Sequence, residues 1–324
     1  MADRKIILNL SQIRFIILIE IQLNDYRLAG ATLNIMKALV TGAKGMMGSD
    51  LCRILAQRGY DVLITDIEEM DVRDQKLVQD TTQSFQPDVV FHLAALTDVD
   101  ACERDPDASF LTNTIGTQNV ALASRSVDAT MVYISTISVF DGTKCEPYTE
   151  FDTPNPQSWY SRSKYEGERI VTNLLDKYYI ARAGWMFGGG SEDKKFVGKI
   201  IDLARERDQL SVVDDKFGSP TYTYDISNTV EKLWQTGLYG TYNSVNTGGY
   251  CNRVEFAQKI LEFAGIEDCE ILPVSSAHFP LPGPRPRMEA ARNYNLELRN
   301  LDWMRSWQDA LQAYILGVLI PDVA

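Results

Sequence analysis

A glycine-rich segment, TGAKGMMG at residues 41–48, restricts the folds open to this 324-residue chain more than any other feature. It follows a short apolar run that predicts a buried strand, and it leads into a predicted helix over 47–58. In such a segment Gly42 permits a tight turn, Gly45 lets the backbone approach a pyrophosphate, and Gly48 lets the helix pack closely. Because a helix amino terminus also offers unpaired N–H groups, the segment predicts a dinucleotide site.

The following half of the chain alternates between short apolar runs and stretches with helical spacing. The predicted strands are 35–41, 61–65, 88–93, 131–135 and 178–182, and the predicted helices are 47–58, 106–127 and 159–175. Such alternation is typical of a parallel sheet with helices on both faces. We therefore expect an α/β fold with a Rossmann-like, doubly wound parallel sheet and a smaller C-terminal substrate domain.

Three regions are expected along the chain. Residues 1–35 form an extension, 36–185 an NAD(P)-binding Rossmann-like domain, and 186–324 mainly a substrate-binding domain that can be interwoven with the first. In this last region, helices are predicted at 196–207, 225–236 and 253–264, strands near Val212 and Tyr242, and a rigid proline-rich loop at 280–287.

The extension contains the most apolar stretch of the chain, residues 6–23, which Arg14 and Glu20 interrupt. No uncharged run approaches the ~20 residues that a membrane span needs, so we expect no membrane association. A basic start and an Ala-x-Ala pattern at 29–31 only faintly resemble a signal peptide. The remaining alternatives are an extra strand or helix packed on the body, or residues upstream of a natural start at Met36.

Charge and cysteine usage exclude further classes of function. The 44 acidic and 32 basic residues give a net charge of -12, and such a field repels phosphate backbones, so no nucleic-acid partner is expected. Five cysteines without a CxxC pair, together with only two histidines, predict no metal site. We interpret the cysteines as reduced thiols of a cytoplasmic protein.

Residues near the glycine-rich segment complete the expected cofactor site. Asp66 ends the second strand, where an acid can hold the adenosine ribose, and this favours NADH. Lys44 could instead attract the 2′-phosphate of NADPH, so the choice between the two cofactors stays open. The expected cofactor-binding residues are Gly42, Lys44, Gly45, Met46, Met47, Gly48, Asp66, Asp71, Val72, Ala94, Ala95, Thr97, Asn113, Tyr160 and Lys164.

A candidate catalytic group follows the strand 131–135. Tyr160 and Lys164 are one helical turn apart, so they share a face of the predicted helix. An ammonium beside the phenol is expected to lower the tyrosine pKa from about 10 towards neutrality, which would allow proton exchange near pH 7. The hydroxyl of Thr136, at the end of the strand, can polarise a carbonyl. We therefore predict Thr136, Tyr160 and Lys164 as catalytic residues.

These features together resemble the extended short-chain dehydrogenase/reductases, and within them the dTDP-4-dehydrorhamnose reductase branch. The resemblance also rests on HLAALTDVDACE (92–103), STISVFDG (135–142), YSRSKYEGE (160–168), RAGWMFGGG (182–190), DDKFGSPTYTYDI (214–226) and RPRMEAARNYNLE (285–297). It implies NADPH or NADH as cofactor and reduction of the 4-keto group of a nucleotide-diphosphate 6-deoxysugar, in dTDP-rhamnose biosynthesis. It also implies a homodimer, sometimes with magnesium between subunits, although no magnesium ligand can be assigned in this sequence.

The expected substrate-binding residues are Thr136, Ser138, Trp185 and Arg285. The resemblance implies that Trp185 shapes the sugar site and that Arg285 contacts the diphosphate, for which an arginine has suitable bidentate geometry.

The chain departs from the family pattern at two places in this site. Where the family usually has Asp and Tyr after the Ser-Thr pair, this chain has Ile137 and Ser138. In the loop after the Arg-Pro pair, Glu289 and Ala291 replace serine and leucine. These departures leave the hydride chemistry intact and leave the identity of the substrate open.

Two other functions remain alternatives. One is a non-catalytic regulatory subunit resembling that of methionine adenosyltransferase, and the other is a nucleotide-sugar epimerase or dehydratase on the same scaffold. The retained Thr136, Tyr160 and Lys164 favour an enzyme, because a pure binding subunit does not need them. An epimerase keeps its NAD through each turnover, whereas a reductase must exchange it.

Overall fold

The computed structural model describes residues 35–190, 193 and 195–321, so the expectations for the amino-terminal extension lie outside the described residues. The strands are β1 Lys37–Thr41, β2 Asp61–Thr65, β3 Val89–His92, β4 Thr130–Thr136, β5 Tyr178–Ala183, β6 Trp185–Phe187, β7 Gln209–Val213, β8 Phe217–Gly218, β9 Pro220–Tyr222, β10 Gly240–Asn243, β11 Cys251–Asn252, β12 Glu270–Val274 and β13 Met288–Glu289. The helices are α1 Met46–Gln57, α2 Gln75–Phe85, α3 Val99–Arg104, α4 Pro106–Phe110, α5 Gly116–Ser126, α6 Trp159–Leu174, α7 Phe196–Glu206, α8 Thr223–Trp234, α9 Arg253–Ala264, α10 Tyr294–Leu298 and α11 Trp307–Tyr314.

A six-stranded sheet has the order β10-β5-β4-β3-β1-β2, and every neighbouring pair in it is parallel. The order reverses at β1, because β2 lies on one side of it and β3 on the other. Open α/β sheets bind ligands in the crevice beyond the carboxyl ends of the strands at such a reversal. The predicted Rossmann-like parallel sheet is therefore confirmed.

Both faces of this sheet are covered by helices. Val40 and Phe91 point to the face on which α1 and α8 pack. Leu39 and Val90, their alternate neighbours, point to the face covered by α2, α5 and α6. Burial on both sides explains why the strands are continuous apolar runs rather than alternating ones.

The second half of the chain builds a further apolar core around α7, α9 and α11, which includes Trp185 and Phe187. One strand of this half, β10, joins the edge of the central sheet beside β5. The domain boundary expected between residues 185 and 186 stays a prediction.

The sequence analysis did not predict the helices α2, α3, α10 and α11 or the strands β6, β8, β9, β11, β12 and β13. Helix α2 contains only three apolar residues, Leu77, Val78 and Phe85, which are too few to indicate a helix. The helix predicted over 106–127 is present as α4 and α5, with the π-helical turn Leu111–Ile115 between them. Among the helices of the described residues, none combines the length and the apolar character required to cross a membrane.

Candidate active site

The glycine-rich loop leaves the amino terminus of α1 open. Gly42 has a φ of +66°, and a Cβ there would lie 2.7 Å from the backbone nitrogen of Ala94. A Cβ on Gly48 would strike the carbonyl oxygen of Gly42, whereas one on Gly45 would meet only that oxygen, at 3.2 Å. Gly45 begins the helix with extended backbone, and no side chain caps it. This open, uncapped turn fits the pyrophosphate of a dinucleotide.

Acidic side chains surround the end of β2 next to this loop. The backbone N–H of Lys44 donates to a carboxylate oxygen of Asp66 at 2.9 Å. The Lys44 ammonium lies 3.0 Å from a carboxylate oxygen of Glu68 and 2.7 Å from one of Glu69. These hydrogen bonds raise the pKa of Lys44 above its ordinary value. Asp66 therefore lies beside the loop, as expected, but Lys44 is paired with carboxylates.

Hydrogen bonds align the ends of β1 and β3. The Thr41 hydroxyl lies 2.8 Å from Nδ1 of the buried His92 and accepts from the backbone N–H of Ala94. Burial lowers the pKa of His92 to about 3, so the ring is neutral near pH 7. Ala94 and Ala95 are partly buried, and Thr97 is exposed at the same edge.

Asn113 joins the loop after β3 to α6. Its side chain is fully buried in the π-helical turn, with the amide oxygen accepting from the N–H of Leu96. The amide nitrogen donates to the Leu96 carbonyl and to the Ser163 hydroxyl, both at 3.0 Å. A cofactor contact of Asn113 stays a prediction.

The other two residues predicted near the cofactor lie after β2. The Asp71 carboxylate accepts from the guanidinium of Arg73, which lowers the Asp71 pKa. Val72 is 5% exposed, and its carbonyl accepts from the Asn119 amide. A cofactor contact of Asp71 and Val72 stays a prediction.

The predicted catalytic residues converge beyond the end of β4. Thr136 ends β4, while Tyr160 lies in the first turn and Lys164 in the second turn of α6. The expectation that a neighbouring ammonium lowers the Tyr160 pKa is wrong, because burial raises that pKa to about 12 and the Thr136 hydroxyl offsets only part of the rise.

Lys164 is held in a closely packed part of α6. Its ammonium lies 4.1 Å from the ring centroid of Tyr133, and the Tyr133 hydroxyl donates to the Lys164 carbonyl. Burial lowers the pKa of Lys164 to about 7, and the negative charge of Glu168 acts in the opposite direction. Glu168 in turn forms a buried, two-pronged ion pair with Arg182 of β5, at 2.9 and 2.7 Å. These contacts fix the face of α6 that carries the Tyr-Lys pair.

The side chains of Ser138, Trp185, Arg253 and Glu289 form a polar cluster, which Ser138 connects to Thr136. The Ser138 hydroxyl donates to one oxygen of Glu289, and the indole N–H of Trp185 donates to the other at 3.1 Å. The guanidinium of Arg253 lies over the Trp185 ring, 3.5 Å from its centroid. Sequence reasoning named Ser138 and Trp185 but missed Arg253, since an arginine opening a helix has no distinguishing pattern.

Arg285 lies in the proline-rich loop, as predicted, but it is already paired. Its guanidinium donates to the carboxylate of Asp100, in α3, and to the carbonyl of Gly283. The ion pair lowers the pKa of Asp100. A contact between Arg285 and a diphosphate stays a prediction, and it would have to form beside or in place of Asp100.

No group of three or more His, Cys, Asp or Glu side chains within residues 35–190, 193 and 195–321 could hold a metal ion. The magnesium that the resemblance suggested therefore has no ligand cluster in this part of the chain.

A comparison with known protein families decides the assignment of this site. The family described as "RmlD substrate binding domain" matches residues 36–319, almost all of the chain after the extension. The chain belongs to this family. The predicted dTDP-4-dehydrorhamnose reductase branch is thereby confirmed.

Individual relatives of this RmlD-family protein match over nearly their whole length. The spore coat polysaccharide biosynthesis protein SpsK of Bacillus subtilis is 37% identical over 86% of this chain and 96% of its own. A dTDP-4-dehydrorhamnose reductase structure from Clostridium acetobutylicum is 40% identical, with a TM-score of 0.83 over 86% of this chain and 98% of that one. The same enzyme from Bacillus anthracis, in complex with NADP, is 38% identical, with a TM-score of 0.84 over 88% and 100%.

Proposed function

We propose that this RmlD-family protein is an NAD(P)H-dependent reductase of the 4-keto group of a nucleotide-linked 6-deoxysugar, as in dTDP-rhamnose formation. The observation that carries the proposal is the placement of Thr136 at the end of β4 and of Tyr160 and Lys164 in the first two turns of α6. Strand β4 belongs to the sheet whose reversal point carries the glycine-rich loop. Relatives named dTDP-4-dehydrorhamnose reductase support the choice of a dTDP-linked sugar.

A reduced nicotinamide cofactor, with its pyrophosphate bound at the glycine-rich loop, would supply the hydride for this reaction. Reduction leaves negative charge on the former carbonyl oxygen, and two hydroxyls are available to neutralise it. Tyr160 is protonated at neutral pH because of its raised pKa, so it can transfer its phenolic proton to that oxygen. Thr136 donates a second hydrogen bond to it. Lys164 lies one turn further along α6, where its side chain can hold the nicotinamide ribose.

The charges near β2 support NADH as the better cofactor. A 2′-phosphate next to the adenosine ribose would meet Asp66, Glu68 and Glu69, and the one nearby ammonium, that of Lys44, is already paired with the two glutamates. Asp66 can accept hydrogen bonds from the two ribose hydroxyls of NADH. We therefore expect a higher kcat/KM with NADH than with NADPH.

The test is a panel of dTDP-, GDP- and UDP-linked 4-keto-6-deoxysugars, each offered with NADH and with NADPH. We expect a product two mass units heavier than the substrate, by mass spectrometry, and loss of nicotinamide absorbance. A panel without turnover would favour the regulatory-subunit alternative. Cofactor that stays bound through purification, with substrate isomerised and no net oxidation of cofactor, would favour an epimerase.

We further propose that the enzyme acts as a homodimer in the cytoplasm. The family resemblance supports the dimer, and the absence of disulfides among Cys52, Cys102, Cys145, Cys251 and Cys269 agrees with a reducing compartment. Light scattering of the purified protein measures the oligomeric state, and a monomeric mass would contradict the dimer.

A further inference from the structure

The polar cluster of Ser138, Trp185, Arg253 and Glu289 is built around one carboxylate. Glu289 accepts from Ser138 through Oε1 and from the Trp185 indole through Oε2, at 3.1 Å for the indole. Strand β13 carries Glu289 and pairs with β8, where Glu289 lies opposite Gly218. A Cβ on Gly218 would overlap the Trp185 ring, so the glycine lets the indole lie against this strand. The carboxylate is thus fixed from two sides.

A cation also faces this cluster. The guanidinium of Arg253 lies over two aromatic rings, 3.5 Å from the Trp185 centroid and 4.7 Å from that of Phe196. Burial lowers the pKa of Arg253 to about 10, and the negative charge of Glu289 offsets part of that lowering. The opposite charge compensates for placing the Glu289 carboxylate in a partly buried site.

The same carboxylate is connected to Thr136 through Ser138. Burial is the main cause of the raised Tyr160 pKa, and the negative charge of Glu289 adds to it. Ser138 follows Thr136 by two residues, and its backbone N–H donates to the Thr136 hydroxyl at 3.1 Å. Ser138 therefore connects the carboxylate to the hydroxyl that faces the substrate carbonyl.

The Glu289 carboxylate can accept further hydrogen bonds. Each of its oxygens can accept two hydrogen bonds, and each receives one from Ser138 or Trp185. Glu289 is also only partly buried. Because an anion repels a ketone oxygen or a phosphate and attracts a hydroxyl, the group that suits it is a hydroxyl of the sugar ring.

We propose that Ser138 and Glu289 act together as a specificity element, in which Glu289 accepts a hydrogen bond from a sugar hydroxyl close to the carbonyl. Ser138 and Trp185 hold the carboxylate in place. Both positions are among those at which this chain departs from the family pattern, and their side chains are in contact. This inference rests on the proposed ketoreductase function, and it adds which part of the sugar the enzyme recognises.

The experiment compares wild type, Glu289→Gln, Ser138→Ala and the double variant on the 4-keto-6-deoxysugar and on analogues that each lack one ring hydroxyl. For the parent sugar we expect Glu289→Gln to raise KM by roughly 10- to 100-fold, the range for a lost hydrogen bond to a charged group, with kcat changed much less. Wild type should lose a similar factor on one particular analogue. The glutamine variant should be insensitive to the loss of that same hydroxyl.

Ser138→Ala should raise KM less, and its effect should not add to that of Glu289→Gln, because both act on one carboxylate. Glu267→Gln, which changes an exposed carboxylate after α9, serves as the matched control and should leave every constant unchanged. Equal KM values in wild type and Glu289→Gln would overturn the inference. Sensitivity to every analogue in both proteins would also overturn it, because Glu289 would then only support the fold.

Calorimetric binding of the reduced sugar nucleotide separates this inference from the proposed function. Wild type that binds no sugar nucleotide would overturn both. Wild type that binds and reduces the sugar, with unchanged binding by Glu289→Gln, would overturn only the role of Glu289.

Discussion

Burial determines which proton transfers Tyr160 can make. A phenol with a pKa of about 12 stays protonated across the physiological range, which suits a proton donor to a developing alkoxide. The YxxxK spacing predicted that Tyr160 and Lys164 share one face, but it could not show how strongly the protein removes water from either group. Spacing therefore predicted the pair, whereas the direction of its pKa shifts needed the tertiary structure.

Tyr160→Phe should remove the proton donor and leave the ring in place. We expect kcat to fall by at least ~10²-fold, the size of a general-acid contribution, while the dissociation constant for cofactor stays close to that of wild type. Steady-state kinetics and nicotinamide fluorescence titration measure the two quantities. Tyr239→Phe, at a tyrosine that is 40% exposed, is the control and should keep full activity. A Tyr160→Phe enzyme with most of its turnover would exclude Tyr160 from the chemistry.

Lys164 should make stability depend on pH. Its native pKa of about 7 lies below the unfolded value of 10.5, so the unfolded state holds more protons between these values and stability rises with pH there. Below pH 7 Lys164 is charged in the folded state, so the free energy of unfolding is lowered by the full cost of burying the ammonium. Lys164→Met should therefore raise the unfolding free energy by on the order of a few kcal/mol at pH 6, and the gain should shrink as pH rises above 7.

Denaturant unfolding between pH 6 and pH 10, about the window set by those two values, measures this gain. The exposed Lys199→Met, in α7, is the control and should show no such trend. If the difference in unfolding free energy between Lys164→Met and wild type does not vary with pH, the lowered pKa of Lys164 is contradicted.

At the scale of the element, different glycines of the loop between β1 and α1 serve cofactor binding and folding. A side chain on Gly45 would meet only the Gly42 carbonyl, whereas one on Gly48 would strike the backbone of the loop itself. Gly45→Val should therefore weaken cofactor binding with a small change in melting temperature, and Gly48→Ala should lower both. Gly59→Ala is the control, since its Cβ would meet nothing within 4 Å.

That control has a φ of +80°, so it should cost about 1 kcal/mol of stability and leave cofactor affinity unchanged. Fluorescence titration of NADH and thermal unfolding give the two readouts. Equal cofactor affinity in wild type and Gly45→Val would show that the loop has been assigned wrongly.

Elements that bury both faces, such as β3, were predicted from the sequence to within about two residues. Helix α2 was not, because only three of its eleven residues are apolar. The hydrogen bonds of Asn113 with Leu96 and Ser163 could not be predicted either, because they join residues far apart in sequence. The Ser138–Glu289 pair likewise joins positions 151 residues apart, which no local pattern reveals.

At the scale of the whole molecule, the described fold begins close to where the family match begins. Strand β1 starts at Lys37, and the family match starts at residue 36. Removal of residues 1–35 should therefore leave a folded enzyme, with kcat and melting temperature close to those of the full chain. Size-exclusion chromatography, thermal unfolding and kinetics check this, and aggregation or lost activity of the shortened protein would show that the extension packs on the body or on a partner.

Hydride transfer from the cofactor to the sugar carbonyl can be followed with an isotope label. The protein is incubated with the 4-keto-6-deoxysugar nucleotide and NADH carrying deuterium at the transferred position, and the product is analysed by mass spectrometry. We expect one deuterium in each product molecule and one molecule of cofactor oxidised for each molecule of product. Both signals should be nearly lost in Tyr160→Phe. A product formed without deuterium or without net oxidation of cofactor would contradict hydride transfer from the cofactor.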